Sequence, residues 1–284
     1  MSLAQTAPSA SGAFDSIPII DIGHASTLEE RAALARQIRD ACTNVGFFYI
    51  KNHGVPEETI DKALSAMKAF FSLSTEAKMK SKLHHRQGAH YRGYEPLLDS
   101  NINPTNKGDL YESFMIGWEK LVPEENVGDT PAVANRWPSE PAGFREAFLD
   151  YYHATLGVAK GFQLRHNPMM RGLHYPPQTG PEDERIMGIG AHSDFECFTI
   201  LWQEPGIQAL QILNSEKQWI NATPVPGTLV INIADLLSRW TNDVFRSTVH
   251  RAINRSGFSR YSIPMFIGAN SDVVVEPIPS LCIS

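Results

Sequence analysis

A histidine and an aspartate one residue apart, His192-Ser193-Asp194, are the first side chains in this sequence with obvious chemical reach. In an extended strand, residues two apart point to the same face, so this imidazole and this carboxylate aim at a common point. A second imidazole is available in another β-like run, Ser247-Thr248-Val249-His250-Arg251. Two histidines and one carboxylate make the facial set that binds non-haem Fe(II), leaving positions open for a co-substrate, O2 and water. Beyond His250, Arg260-Tyr261-Ser262 again puts two polar side chains on one strand face. A guanidinium beside a hydroxyl can clamp a small carboxylate, and arginine can do so bidentately. H-x-D alone is a weak signal. Its plain alternatives are an exposed polar face on an edge strand for His192 and Asp194, and a satisfied, partly buried histidine for His250. The surroundings favour chemistry, because Gly188-Ile189-Gly190 precede the pair and Phe198-Thr199-Ile200-Leu201 follow it in a strand-dense stretch.

The elements that must position these groups can be read from periodicity. From Met169 onward, short apolar runs alternate with turn residues at 169–175, 187–192, 197–202, 207–213, 228–233, 246–253, 260–268 and 272–276. That density predicts a closed sandwich or barrel, with only 234–240 helical. The first half reads differently. A short strand is expected over 17–21, then a helix behind the capping box Thr27-Leu28-Glu29-Glu30. Phe47-Phe48-Tyr49-Ile50 reads as a strand. Pro56 then opens a helix with Ile60, Leu64, Met67, Phe70 and Phe71 on one face. Ser74 caps a lysine-rich helix, 84–110 reads as a long loop, and 144–159 as a further helix. The expected organisation is a disordered 1–15 followed by one domain over 16–284. Its helix-rich part is 16–168 and its β core is 169–284.

Composition narrows the partners. The net charge of −6 and the pI of about 5.9 argue against a nucleic-acid or anionic-membrane surface. Three scattered cysteines, Cys42, Cys197 and Cys282, make no disulfide framework and point to a reducing compartment. The N-terminus lacks a basic-then-apolar leader pattern, and no apolar run is long enough to span a bilayer, so the expectation is a cytoplasmic protein without a membrane. The oligomeric state is not legible.

Taken together, the motifs resemble the isopenicillin N synthase-like branch of the 2-oxoglutarate- and Fe(II)-dependent dioxygenases. The resemblance rests on Gly227 to Asp243 followed by Ser247-Thr248-Val249-His250-Arg251. Arg260-Tyr261-Ser262-Ile263-Pro264-Met265-Phe266, Ile17-Pro18-Ile19-Ile20-Asp21 and Gly46-Phe47-Phe48 with Asn52-His53-Gly54-Val55-Pro56 add to it. It runs from about Ile17 to Leu281. It implies a mainly β fold, a double-stranded β-helix (jelly-roll) core with N-terminal helices packed outside. It implies His192, Asp194 and His250 as iron ligands, Arg260 and Ser262 as the pair for the distal carboxylate of 2-oxoglutarate, and Tyr175 as a further co-substrate contact. The implied reaction consumes O2, splits 2-oxoglutarate to succinate and CO2, and oxidises a small-molecule substrate, most often by hydroxylation. Secondary metabolism is the setting the resemblance suggests.

Three departures from the family pattern stand out. The bridge 161–168 is short by a helix, the chain stops at Ser284 soon after Pro277-Ile278-Pro279, and Ala234 stands where glycine is common. The first two predict a less well covered site. Substrate contacts are expected near Arg92, Lys107, Phe114, Ile116, Phe195 and Phe266, with core packing the plainer role for the aromatics and a solvated loop for the charges. His84, His85 and His90 read as loop residues, His53 as part of a turn, and Glu112 as a structural partner of the barrel. Two other functions remain open at this point: an Fe(II) oxidase of the same branch that does not use 2-oxoglutarate, and a truncated, non-catalytic iron-binding form.

Overall fold

The computed structural model describes residues 13–82, 92–101, 108–121, 134–159, 168–178, 188–270 and 273–281. Two sheets carry the site. The larger runs in the order β1 (Ile19–Asp21), β2 (Phe47–Lys51), β10 (Thr228–Ile233), β7 (Phe198–Gln203), β12 (Arg260–Ile267), β5 (Met169–Tyr175), β4 (Glu112–Gly117), β3 (Gly93–Glu95). The smaller runs β6 (Ile189–His192), β11 (His250–Ala252), β8 (Leu210–Leu213), β9 (Trp219–Asn221). Almost every contact within them is antiparallel, and β1 beside β2 is the parallel exception. The arrangement is the jelly roll that the sequence implied.

The first half is less purely helical than its periodicity suggested. It supplies both flanks of the large sheet, β1 and β2 on one side and β3 and β4 on the other. Part of the expected 84–110 loop is β3, because Gly93–Glu95 pairs with Ser113–Met115. At the other end, 273–278 forms no strand, whereas one was expected over 272–276. The expected disordered 1–15 falls largely outside the described residues, but Phe14 is placed: its carbonyl accepts a bond from Asn214 Nδ2 at 3.1 Å.

Helix α1 (Leu28–Asn44) starts at the capping box, with Glu30 N–H donating to Thr27 Oγ1 at 3.1 Å and Thr27 N–H to Glu30 Oε2 at 2.9 Å. Its far end matters more for the site. The orphan carbonyls of a helix C-terminus need donors. Here Arg246 N–H reaches Cys42 O at 2.9 Å, and Thr248 Oγ1 reaches Val45 O at 2.7 Å. The segment leading into His250 is thus tied to the end of α1. Gly46, at φ +75°, makes this approach possible, since a Cβ there would run into Arg246 O and Thr248 Oγ1.

Helices α2 (Glu57–Phe71) and α4 (Phe144–Ala159) cover the outside of the large sheet, and α3 (Thr75–Met79), capped by Ser74, follows α2. Phe70, Phe114, Phe144 and Phe148 meet there with centroids 4.3–6.1 Å apart. Each fully buried phenylalanine contributes about 1.5–3 kcal/mol. Gly172 leaves room for this layer, because a Cβ on it would meet the Phe148 ring and the Met67 methyl. Its neighbours Arg171 and Leu173 point the other way, into the barrel.

Candidate metal and co-substrate site

His192 and His250 are direct cross-strand partners on β6 and β11, which puts their ring centroids 4.3 Å apart. Each ring is fixed by its Nδ1. That of His192 lies 2.8 Å from Gly190 O, and that of His250 lies 3.1 Å from Thr248 O. A carbonyl can only accept, so Nδ1 carries the proton and Nε2 presents its lone pair. Both Nε2 atoms converge on Asp194 Oδ1, at 3.6 and 3.7 Å. Donors held about 2 Å from one metal ion must lie about 3–4 Å from each other, so the three atoms fit a single ion.

Asp194 does not owe its place to strand alternation as expected. β6 ends at His192, and residues 193–197 have no strand structure. Two neighbours hold the carboxylate instead: Thr199 Oγ1 donates to Oδ2 at 2.5 Å and Asn232 Nδ2 donates to the same oxygen at 2.7 Å. Oδ1 is left facing the two imidazole Nε2 atoms. Burial opposes ionisation of Asp194, but the His192 bond, the positive potential of both imidazoles and the Thr199 hydroxyl hold its carboxyl far below the usual range. Burial also disfavours charge on His192, yet Asp194 outweighs it and raises that pKa, whereas burial and the neighbouring His192 lower His250 to about 4. An anionic oxygen beside two imidazoles is a hard donor set suited to Fe(II).

The same cavity, about 580 Å³, reaches Arg260, Ser262 and Tyr175. Arg260 and Tyr175 are register partners, and the guanidinium carbon lies 4.7 Å from the Tyr175 ring centroid. Arg260 Nη1 reaches Ser262 Oγ at 3.4 Å and Nη2 donates to Gln203 Oε1 at 3.2 Å. The residue is 1% exposed, its Nε has no partner, and among the described residues no carboxylate lies within salt-bridge distance. Burial lowers its pKa and raises that of Tyr175. A buried guanidinium without a counter-charge is costly, and an incoming carboxylate would relieve it. The residues present therefore fit both a metal ion and a dicarboxylate co-substrate.

Of the expected substrate contacts, Phe266 lines the cavity. Phe114 and Ile116 do not. Both are fully buried under α2 and α4, and the residue between them, Met115, faces the cavity instead. Arg92 also lies away from the cavity lining, and its guanidinium sits against Gly117. Phe195 is neither core nor deep pocket: it is 84% exposed at the cavity mouth. Glu112 takes the structural role expected, accepting from Lys78, Tyr94 and His174. His53 takes the turn role, with Val55 N–H donating to its Nδ1. His84, His85, His90, Lys107 and most of the short 161–168 bridge lie outside the described residues. Sequence reasoning missed Thr199, Asn232 and Gln203. They lie on strands β7 and β10, and what joins them to Asp194 and Arg260 is sheet pairing, which spacing along the chain does not contain.

Comparison with known proteins agrees with this class of site. Residues 17–140 match the family model described as non-haem dioxygenase in morphine synthesis N-terminal, and 166–269 match the 2OG-Fe(II) oxygenase superfamily. The chain is 35% identical to the 2-oxoglutarate-Fe(II) type oxidoreductase hxnY of Emericella nidulans, over 93% of this chain and 83% of the relative. It is 33% identical to a homoarginine-6-hydroxylase of Glycine max, over 93% and 89%. Among solved structures, a full-length Neurospora crassa protein in complex with alpha-KG (2-oxoglutarate) superimposes with a TM-score of 0.80 at 26% identity, covering 94% of this chain and 89% of that one. The same Neurospora protein has been solved with alpha-KG and thymine together. The chain belongs to the 2OG-Fe(II) oxygenase superfamily. It is a 2-oxoglutarate-dependent non-haem iron dioxygenase, with Fe(II), 2-oxoglutarate and O2 as its reaction partners. No described helix is long and apolar enough to cross a membrane.

Proposed function

We propose that His192, Asp194 and His250 hold the iron, and that Arg260, Ser262 and Tyr175 hold the distal carboxylate of 2-oxoglutarate. When bound, iron with 2-oxoglutarate and O2 supplies the oxidant for a substrate C–H bond, with succinate and CO2 as co-products. The chain's own residues then have distinct tasks. Gly190 and Thr248 carbonyls orient the two imidazoles, and Thr199 and Asn232 reserve one carboxylate oxygen for the metal. Gln203 and the Tyr175 ring aim the Arg260 guanidinium along the barrel. Met115, Met169, Pro264 and Phe266 give the remaining cavity an apolar wall that excludes water and suits a small organic molecule. A small-molecule substrate accords with the thymine bound by the Neurospora relative.

The observation that carries this reading is the uncompensated Arg260 guanidinium in the same cavity as the convergent triad. Anaerobic titration with Fe(II) and 2-oxoglutarate tests it. The visible metal-to-ligand charge-transfer band should form, and it should be lost in His192→Ala and require far more 2-oxoglutarate in Arg260→Gln. Iron binding with no band at any 2-oxoglutarate concentration would overturn the clamp assignment.

A further inference from the structure

The inner face of β5 carries a second arginine. Met169, Arg171, Leu173 and Tyr175 all line the cavity, as the two-residue period requires. Tyr175 pairs with Arg260, whereas Arg171 lies four residues away, roughly 13 Å along the strand. The two arginines therefore enter the cavity from different rows of the sheet, with the Tyr111 and Tyr175 rings, 6.1 Å apart, between their guanidinia. Cross-strand pairing shows which end Arg171 occupies. Met169 pairs with Phe266, Phe266 with Thr199, and Thr199 with Asn232. Thr199 and Asn232 are the residues that hold Asp194. Arg171 stands one inward position from Met169 on that row, and Tyr175 stands three. Arg171 thus belongs to the triad's end of the barrel, and Arg260 to the far end.

Arg171 has one weak counter-charge. Its Nη1 donates to the Tyr111 hydroxyl at 3.0 Å and lies 3.5 Å from Glu95 Oε2, and its Nε has no partner. A firm arginine–carboxylate bond is shorter, about 2.7–2.9 Å, so the guanidinium keeps unused capacity. Glu95 is better supplied, because Ser113 Oγ also donates to it at 2.9 Å. Exposure separates the pair further: the Arg171 side chain is 20% exposed and that of Glu95 only 9%. Both residues line the cavity, but the guanidinium is the more open half of the ion pair. Burial pushes Tyr111 up to about 12, so it stays a neutral hydroxyl beside the guanidinium.

We infer that Arg171, with Tyr111, reads a carboxylate on the substrate, and that the substrate class is a small organic acid with an apolar body. The body would lie along the apolar wall formed by Met115, Met169 and Phe266. Glu95 is a positioning residue that holds the guanidinium in place. This inference rests on the iron and 2-oxoglutarate reading of the same cavity, and it deepens that reading by naming what enters beside them.

Matched probes test it on the full chain: phenylacetate, phenylacetamide and phenethylamine, and cyclohexanecarboxylate with its amide. Binding is read twice, by perturbation of the charge-transfer band in the loaded protein and by saturation-transfer NMR on metal-free protein. Each acid should bind about tenfold or more tighter than its amide, the scale of a charge-assisted contact. Arg171→Gln should erase the acid preference, Arg171→Lys should restore part of it, and Glu95→Gln should tighten the acids. Equal affinity of acid and amide, tighter binding of the amine, no binding of either acid at millimolar concentration, or a preference abolished by Arg260→Gln rather than Arg171→Gln would each overturn the inference. The two readings fail separately. If the charge-transfer band never forms, the iron site assignment falls while the NMR ratio still reports on Arg171. If the band forms and the acid preference is missing, only the substrate inference falls.

Discussion

The Thr199 hydroxyl donates to Asp194 Oδ2 at 2.5 Å, and through that bond β7 fixes a carboxylate that lies outside any strand. The arrangement divides labour between the two oxygens. Oδ2 is spent on Thr199 and Asn232, and Oδ1 faces both imidazole Nε2 atoms.

Thr199→Val should therefore weaken metal binding without removing a ligand. The shape is nearly kept, but one donor to Oδ2 is lost. Outer-shell partners of this kind are worth about 10–100-fold in metal affinity. Fe(II) or Mn(II) titration followed by calorimetry would measure the loss. An unchanged affinity would show that Asn232 alone orients Asp194.

Arg260 makes opposite predictions with and without its ligand. A buried charge without a partner is costly, so an apolar side chain of similar length in its place is expected to stabilise the fold. Arg260→Met should accordingly raise the melting temperature of protein free of 2-oxoglutarate. The same variant should lose about 2 kcal/mol or more of 2-oxoglutarate binding, about thirtyfold in Kd. Thermal melts across a 2-oxoglutarate series would show wild type stabilised by the ligand and the variant indifferent to it. A variant that melts lower in both conditions would mean that Arg260 is already compensated.

Glu112 lies on the outer side of the same strands. It accepts from Lys78 Nζ at 2.7 Å, Tyr94 OH at 2.6 Å and His174 Nδ1 at 2.8 Å, and both Lys78 and Glu112 are buried. Burial opposes its ionisation, but the His174, Lys78 and Tyr94 bonds outweigh burial and lower its pKa. A carboxyl whose folded pKa is depressed contributes stability above its unfolded value, about 4.3, and loses it as pH falls through the folded value. Glu112→Gln leaves Lys78 buried without a carboxylate, which should cost about 3–5 kcal/mol at neutral pH. Urea unfolding at a series of pH values should show the gap between wild type and variant closing below about pH 4. A gap that stays constant across that range would mean that the carboxylate charge contributes nothing.

Much of the site was legible because it depends on local order. Arg260 and Ser262 share a face of one strand, and a period of two is enough to say so. The meeting of His192 with His250 depends on the register of β6 against β11, which spacing along the chain does not contain. Asp194 does lie beside both imidazoles, but not through the strand alternation expected, since its strand has already ended. β4 shows the limit most clearly. All six of its residues are buried, one face by helices and the other by the barrel, so burial and apolarity cannot say which face is which. Phe114 takes the plainer of its two expected roles, core packing, and the residue that faces the pocket is its neighbour Met115. Likewise, counting back by twos from Tyr175 along the expected 169–175 run leads to Arg171, but only the folded sheet shows that this face lines the cavity.

That register on β4 can be tested by neighbouring substitutions with opposite signatures. Phe114 contacts Phe70, Trp137, Phe144 and Phe148 in the layer beneath the helices. Phe114→Ala should cost about 3–5 kcal/mol of stability, through lost transfer energy and the cavity left behind. Met115 pairs with Arg171 and faces the cavity, so Met115→Ala should enlarge the space beside that guanidinium. Its main effect should fall on substrate KM and on the rate of 2-oxoglutarate consumption without substrate, with a smaller change in unfolding free energy. Chemical denaturation paired with succinate-release kinetics separates the two. If Phe114→Ala shifted substrate KM while stability held, and Met115→Ala did the reverse, β4 would have to be turned over in the sheet.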